Sequence, residues 1–324
     1  ALIRGGTAKR QGGNLYAGYA NVTIRDTVIS DGIAGIVSGD DGRGGNLYLT
    51  GTVIADMYDT TVGNGYAIGH GGNMYAPGGI AFYMYSGLFT SGEAKSYGGN
   101  MYCNGMHLHG GIVTNGVSGL NGGNIFVYDG EANFLNIEAT ADGPAPIVSN
   151  GKSSSLGGNI YISKYTTGTI TGAIIENGTG DTGSKNSTFN ADNVYANVGT
   201  TLTITDSVIR GIEADGTSGN GVYAGGELIL KGNTSITNEE KASCIYIASD
   251  GCLTVDAGFT GETSVAFEDA HFADPEEPQG GTAAEQNTAT GVFTGKLLLE
   301  GYKSLFEAEV VTRLTKAGYT LAGK

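Results

Sequence analysis

Side chains able to bind a ligand occur at alternate positions of four short segments. Alternate residues of a β-strand face the same side, so each pair would lie on one surface. The candidate ligand-binding residues are Asp56, Tyr58, Tyr83, Tyr85, His107, His109, Asn136 and Glu138. Aromatic rings beside carboxylates and imidazoles favour a carbohydrate-binding surface. His107 and His109 could also hold a metal ion through neutral nitrogens. Two such histidines on an exposed strand are more often surface residues without a ligand, so no metal site is predicted.

The spacing of the carboxylates argues against an enzyme. A glycoside hydrolase places its two carboxyl groups roughly 5–9.5 Å apart, whereas Asp56 and Glu138 would lie three strands apart, roughly 14 Å. A calcium-dependent lyase would need a nearby basic residue, and Arg25 lies two strands from the closest tyrosine pair. No catalytic residue is assigned. The sequence favours a non-enzymatic protein, and a polysaccharide lyase or glycoside hydrolase is the alternative.

These segments belong to a repeat. The phrase Gly44-Gly45-Asn46-Leu47-Tyr48 recurs in nine variants, and successive aromatic positions are 23 to 35 residues apart. A period of this length is typical of stacked supersecondary units that bury their faces against their neighbours. The sequence therefore predicts a solenoid of about nine coils.

The last residue of the phrase forms an aromatic column. Its members are Tyr16, Tyr48, Tyr75, Tyr102, Phe126, Tyr161, Tyr195, Tyr223 and Tyr246. The residues before and after each aromatic are mainly aliphatic, so they face the core and the rings should point to the outer face. We expect exposed rings there, which either stack on one another for structural reasons or bind a sugar or a protein partner.

The Asn residue of the phrase forms a second column. Its members are Asn14, Asn46, Asn73, Asn100, Asn124, Asn159 and Asn193. An amide both donates and accepts, so stacked Asn side chains can hydrogen-bond along the solenoid, which predicts a structural ladder. The preceding glycine pair would supply positive φ or a close approach between coils.

Two more strands per coil can be followed. Examples are Val22 to Arg25 for the second strand and Val28-Ile29-Ser30 for the third. The predicted fold is all-β: a right-handed, single-stranded parallel β-helix of three sheets over residues 1–264. The chain resembles the pectate-lyase-like β-helix superfamily and, through its Gly-Gly-Asn-aliphatic-Tyr coils, the repeat regions of bacterial surface and secreted proteins. That resemblance implies an extracellular or cell-surface location and a role as spacer, adhesin or filament unit.

The repeat ends after Thr263, and residues 265–324 are predicted to form a C-terminal cap. The cap would contain an acidic loop at Asp274-Pro275-Glu276-Glu277-Pro278, a strand at Lys296 to Glu300, and a helix over about 305–317. Ser304-Leu305-Phe306-Glu307 has the form of a capping box for that helix. Such a cap would cover the last coil, whose strand edges would otherwise be unpaired.

Composition limits the partners. A formal net charge of −15 without a basic stripe argues against nucleic acid and anionic membranes, and no apolar run is long enough for membrane insertion. Cys103 should be a buried apolar group, while bonding between Cys244 and Cys252 stays open. No cofactor is predicted, apart from a weak indication of calcium at Asp40-Asp41. Because Ala1 falls inside a repeat, we expect a longer parent chain or head-to-tail association with other subunits.

Overall fold

Each sequence repeat folds into one coil of a right-handed parallel β-helix. The computed structural model describes residues 1–36, 41–51, 54–78, 81–180, 191–211, 220–238, 244–256, 258–267, 288–290, 296–299 and 319–321. The described residues contain strands and no helix, and the strands form three parallel sheets. The predicted all-β fold class is confirmed.

The phrase strands form a first ladder in which every aromatic residue pairs with the one in the next coil. Tyr75 is thus in register with Tyr48 on one side and with Tyr102 on the other. The constant register follows from the short aliphatic-aromatic-aliphatic segment, because a shift by one residue would exchange the core face for the outer face. The strands of the first ladder are Leu15–Gly18, Leu47–Thr50, Met74–Ala76, Met101–Cys103, Ile125–Val127, Ile160–Ile162, Ala191–Ala196, Asn220–Ala224 and Ile245–Ile247.

The second strands form a separate sheet of ten strands. From Ile54–Tyr58 to Cys252–Asp256 the inward residues are buried and the outward ones are mainly partly exposed, as in Phe134–Glu138, where Leu135 and Ile137 are buried. The predicted inward and outward positions are therefore confirmed. The strands of this second ladder are Val22–Arg25, Ile54–Tyr58, Ala81–Met84, Gly105–Leu108, Phe134–Glu138, Thr167–Thr171, Thr201–Thr205, Glu227–Lys231, Cys252–Asp256 and Thr288–Thr290.

A third ladder follows in each coil and contributes a core residue from every strand except the first, such as Ile29 or Val113. Its strands are Leu2–Arg4, Val28–Ser30, Thr60–Gly63, Gly87–Thr90, Ile112–Thr114, Ile147–Ser149, Ile174–Glu176, Val208–Gly211 and Ser235–Asn238. A sheet of two-residue strands, which the sequence did not reveal, lies between the third and first ladders. These short strands are Thr7–Ala8, Ile33–Ala34, Tyr66–Ala67, Glu93–Ala94, Val117–Ser118, Lys152–Ser153 and Thr179–Gly180.

The first and third ladders meet at Glu262–Phe267, which pairs with a strand of each and so joins both into one sheet of 21 strands. Lys296–Leu299 pairs in parallel with this strand, and Tyr319–Leu321 pairs with Lys296–Leu299. Parallel pairing thus continues past residue 264. The predicted acidic loop and the helix over about 305–317 lie outside the described residues.

The coils enclose one apolar core supplied by the three longer ladders. Its large, fully buried side chains include Phe82, Phe89, Met57, Met84 and Leu108. Phe82 and Phe89 meet edge to face, with ring centroids 5.9 Å apart, an arrangement that the charge distribution of aromatic rings favours. Adjacent coils cover one another, which is how a solenoid buries its faces.

The predicted Asn ladder is present from Asn14 to Asn193. From Asn14 to Asn159, each Asn Nδ2 donates to the Oδ1 of the Asn in the next coil at 2.6–2.7 Å, and the members from Asn46 onwards are fully buried. The glycine pair permits this packing. Gly44 has a φ of +66°, and a Cβ on Gly45 would come within 2.1 Å of the carbonyl oxygen of Gly72. The first glycine is therefore required by conformation and the second by contact between coils.

Candidate functional site

The predicted ligand-binding residues lie together on the outer face of the second ladder. One column runs through Asp56, Tyr83, His107 and Asn136, which pair in register across successive strands. The other column runs through Tyr58, Tyr85, His109 and Glu138. We call the eight residues the strand-two patch. Tyr85 and Glu138 are exposed and the other six are partly exposed.

The aromatic members of the strand-two patch are stacked along both columns. Tyr58 and Tyr85 lie 4.6 Å apart between ring centroids, at an interplanar angle of 4°. Tyr83 and His107 lie 4.5 Å apart, also at 4°. His109 contacts Tyr85 at 5.4 Å and His107 at 5.6 Å. The ring faces are therefore largely occupied by neighbouring rings.

Two residues outside the predicted set extend this stack. The guanidinium carbon of Arg25 lies 3.6 Å from the centroid of the Tyr58 ring, a cation–π contact. Phe134 lies 4.7 Å from His107 in a tilted arrangement. Arg25 precedes Tyr58 in the same outward column, so its position was readable from the sequence. Its contact with the ring depends on a side-chain conformation that the sequence does not reveal.

The polar groups of the strand-two patch are only partly paired. Asn136 Nδ2 lies 3.2 Å from His107 Nδ1 and donates to Glu138 Oε2 at 3.3 Å, while Asn136 Oδ1 has no partner within the described residues. Burial, followed by the nearby His109, lowers the pKa of His107, which favours the neutral imidazole. Burial raises the pKa of Tyr85. The patch thus presents a protonated phenol at Tyr85 and favours a neutral imidazole at His107, between Asp56 and Glu138.

The aromatic column faces away from the core as predicted, but the expectation of exposed rings is wrong. Eight of its nine members are at most 9 % exposed, and Tyr16 is the exception at 54 %. Their ring centroids are 4.4–5.7 Å apart from one coil to the next. The rings form a second apolar cluster outside the sheet, and these contacts favour the structural interpretation of the column.

The rings are buried because residues just before the glycine pairs fold over them. Tyr97 and Leu156 pack against the column. His70, to which the sequence assigned no role, stacks on Tyr75, Tyr97 and Tyr102 with centroids 5.1–6.0 Å apart. Arg43 donates to the Tyr75 hydroxyl at 3.2 Å. The signal for this layer is the position preceding Gly-Gly, occupied in successive coils by Gln11, Arg43, His70, Tyr97, Asn121 and Leu156.

A groove of about 270 Å³ opens beside the aromatic column near Phe126. We call it the Phe126 groove. Its aromatic lining consists of Tyr97, Tyr102, Phe126, Tyr128 and Tyr161, and its polar lining of Asn121, Asp129, Ser163, Lys164 and Asn197. The sequence analysis placed three of the ring residues in the aromatic column but missed Tyr97, Tyr128 and the polar residues, because they lie outside the repeated phrase.

The structure also shows the surroundings of the possible metal ligands and of the three cysteines. No cluster of three or more His, Cys, Asp or Glu side chains suited to a metal ion occurs among the residues that the structure describes. Asp41 pairs with Arg43, whose Nε donates to Oδ1 at 2.9 Å, and Asp40 lies outside the described residues. Cys103, Cys244 and Cys252 are free thiols, and complete burial raises the pKa of Cys103 to about 12. The described part contains no helix long and apolar enough to cross a membrane.

Comparison with protein-family models, with curated proteins and with solved structures finds no match to this chain.

Proposed function

We propose that this chain is a non-enzymatic, extracellular β-helix that serves as a structural and adhesive unit, and that the strand-two patch binds a glycan. The observation that carries the proposal is the row of stacked Tyr and His rings on a partly exposed sheet face. The proposal includes membership of the pectate-lyase-like superfamily and a bacterial surface or secreted origin. Other protein subunits are the second class of partner, through lateral or head-to-tail contacts that could build filaments.

The stacking geometry determines how such a patch would hold a sugar. The faces of Tyr58 and Tyr83 lie against Arg25, Tyr85 and His107, so a ligand meets ring edges rather than open faces. Phenol and imidazole groups can donate or accept hydrogen bonds, and a sugar hydroxyl can do both. Successive strands repeat these groups about every 4.8 Å. The patch therefore suits hydrogen bonding to several hydroxyls along an extended glycan.

A binding role accounts for the surroundings of the patch better than hydrolysis. Tyr83 and His107 occupy the strands between Asp56 and the pair Asn136 and Glu138. At about 4.8 Å per strand, this spacing separates the two carboxylates by roughly 14 Å, more than the roughly 5–9.5 Å that suits attack on one glycosidic bond. Lyase or hydrolase activity remains the alternative function, and a reducing-sugar assay together with an assay for unsaturated products would reveal it.

The test compares the parent chain with a Tyr85→Ala, His109→Ala double variant on a glycan array. We expect the parent chain to bind at least one glycan and the double variant to lose that binding while keeping its circular dichroism spectrum. A Thr169→Ala, Thr203→Ala double variant, altered on the same sheet face beyond the patch, should bind as the parent does. Unchanged binding by the Tyr85→Ala, His109→Ala variant would show that the strand-two patch is not the glycan-binding site. Cleavage of the bound glycan would show that the protein is an enzyme rather than a binding protein.

A further inference from the structure

The aromatic column changes residue type at the Phe126 groove. Phe126 stacks between Tyr102 and Tyr161, with ring centroids 5.0 and 5.1 Å away. Every other member of the column is a tyrosine. Phe lacks the hydroxyl that a tyrosine would carry toward the outside of the layer, so this coil has an apolar edge where its neighbours have an oxygen atom. This apolar edge lines the groove, and we call it the floor.

Two tyrosines outside the aromatic column, Tyr97 and Tyr128, also line the groove. Tyr97 contacts Phe126 with centroids 4.6 Å apart, tilted by 30°, and Tyr128 contacts Tyr102 at 5.9 Å, tilted by 31°. Tyr128 is 46 % exposed, so much of its ring is accessible. Tyr97 precedes a glycine pair, and Tyr128 lies two residues after an aromatic of the column. Neither of these positions carries an aromatic residue with a hydroxyl in the other repeats that keep the glycine pair.

The groove is also lined by two residues of opposite charge, Asp129 and Lys164, which do not form an ion pair with each other. The ion pairs among the described residues are Arg43–Asp41, Lys95–Glu93 and Arg210–Glu176, so Asp129 and Lys164 lack an ionic partner there. Asn197 is already engaged, because its Nδ2 donates to the Tyr161 hydroxyl at 2.8 Å and its Oδ1 accepts from the Val198 amide. A ligand would therefore find one carboxylate acceptor and one ammonium donor beside aromatic walls.

We propose that the Phe126 groove binds a single neutral sugar ring of a glycan. Aromatic walls contact the C–H groups of such a ring, while Asp129 accepts from its hydroxyls and Lys164 donates to them. The volume of about 270 Å³ lies just below the usual range of ligand pockets, roughly 300–1,000 Å³, and suits one six-membered ring. Asp129 and the net charge of −15 disfavour acidic sugars. The groove lies on the first ladder, so this site is separate from the strand-two patch.

The decisive variant is Phe126→Tyr, which restores the residue type of the other rungs and puts one oxygen atom into the floor of the groove. The matched control is Tyr223→Phe, the reverse one-atom change three coils away in the same column. Binding is measured by isothermal titration calorimetry with neutral tetrasaccharides of glucose, galactose, mannose and N-acetylglucosamine, and with a galacturonate tetrasaccharide as acidic probe.

We expect at least one neutral tetrasaccharide to bind the parent chain and Tyr223→Phe alike. Phe126→Tyr should weaken that binding about tenfold or more, which corresponds to about 1.4 kcal/mol or more of binding free energy. Tyr128→Ala, which removes a partly exposed wall, should weaken the same binding if Phe126→Tyr fails to fold. Preference for galacturonate, equal effects of the two one-atom variants, or no neutral ligand at all would overturn the proposal. Binding lost only in the Tyr85, His109 variant would overturn the groove while supporting the strand-two patch.

Discussion

The amide of Asn100 shows how one residue ties a coil to both of its neighbours. Its Nδ2 donates to Asn124 Oδ1 at 2.7 Å and to the Thr114 carbonyl at 2.8 Å. Its Oδ1 accepts from Asn73 Nδ2 at 2.6 Å and from the Gly92 amide at 3.0 Å. All the hydrogen-bonding capacity of the side chain is used, in a position without solvent exposure. Removing such a group leaves its partners buried and unpaired.

We therefore expect Asn100→Ala to lower the free energy of unfolding by at least ~1–3 kcal/mol, the cost of an unsatisfied buried polar group. Urea unfolding followed by circular dichroism measures this change. Thr203→Ala, on the outward face of the second ladder, serves as the control and should stay within ~0.5 kcal/mol of the parent. A small effect of Asn100→Ala, similar to that of Thr203→Ala, would contradict a structural role for the ladder.

The buried aromatic column leads to a second residue-scale prediction. Tyr102 is 6 % exposed and contacts Tyr75, Phe126 and His70, whereas Tyr16 in the same column is 54 % exposed. Tyr102→Ala should destabilise the protein by ~3–5 kcal/mol, as truncation of a buried aromatic does, and Tyr16→Ala by clearly less. Thermal and urea unfolding of both variants would check this. Equal losses of unfolding free energy in the two variants would mean that burial of the ring does not determine how much it stabilises the protein.

At the scale of elements, the aromatic layer contains a titratable group. His70 stacks on three tyrosines of the layer, and its Nδ1 is buried without a hydrogen-bond partner among the described residues. Burial, followed by the positive charge of Arg43, lowers the pKa of His70. The folded layer therefore favours the neutral imidazole over the protonated one.

This shift predicts a pH dependence of stability. Below the unfolded pKa of about 6.5, the unfolded chain binds a proton that the folded chain resists, so the free energy of unfolding falls as the pH is lowered, until the folded pKa is passed. His107 has a pKa lowered in the same direction and should contribute as well. We expect His70→Phe, which keeps a ring in the layer, to reduce the stability loss between about pH 7 and 5.5. Urea unfolding across that range measures it, and an unaltered pH profile would contradict the prediction.

The sequence predicted the ladders well because each rests on a local pattern. Aliphatic residues flanking each aromatic identify the inner and outer faces of Met101–Cys103, and the Gly-Gly-Asn run sets the same register in every coil. Strands such as Glu93–Ala94 have only two residues and show no alternation, so their sheet was missed. The column at Arg43, His70 and Tyr97 was missed because its residue type changes from coil to coil.

The burial of the rings could not be predicted for a related reason. The alternation rule tells which face of a sheet a side chain takes, but not whether another segment covers that face. Here Tyr97 and Leu156 provide the cover, from turns that precede the strands. The grouping of the strand-two patch on one sheet face follows from its alternate residues, and all eight of them are partly exposed or exposed. The Phe126 groove depends on Asp129 and Lys164 in turns after the phrase, where the sequence shows no period.

At the scale of the whole molecule, the β-helix separates two surfaces that share one core. The outer face of the second ladder carries the strand-two patch, while the outer face of the first ladder carries the covered aromatic layer and the Phe126 groove. Both proposed sites draw residues from several coils, so each depends on the constant register between coils. The fold thereby places side chains from distant parts of the sequence about 4.8 Å apart along one row.

In the described strands, each coil pairs only with its adjacent coils, and this predicts how far the loss of stability caused by one core substitution extends along the β-helix. Gly105–Leu108 pairs with Ala81–Met84 on one side and with Phe134–Glu138 on the other. Leu108 is fully buried, so Leu108→Ala should cost ~2–5 kcal/mol. In a solenoid this loss is carried mainly by nearest neighbours. Hydrogen exchange should therefore accelerate most in these three strands and change little in Glu227–Lys231, four coils further along.

The matched variant is Leu230→Ala, the same truncation of a fully buried leucine in Glu227–Lys231. It should give the complementary pattern, with faster exchange in Thr201–Thr205 and Cys252–Asp256, the two strands that pair with Glu227–Lys231. Mass-spectrometric hydrogen exchange of both variants resolves these segments. If the two truncations instead raise exchange equally along all the strands of the second ladder, the coils unfold as one cooperative unit, and a nearest-neighbour description of this β-helix fails.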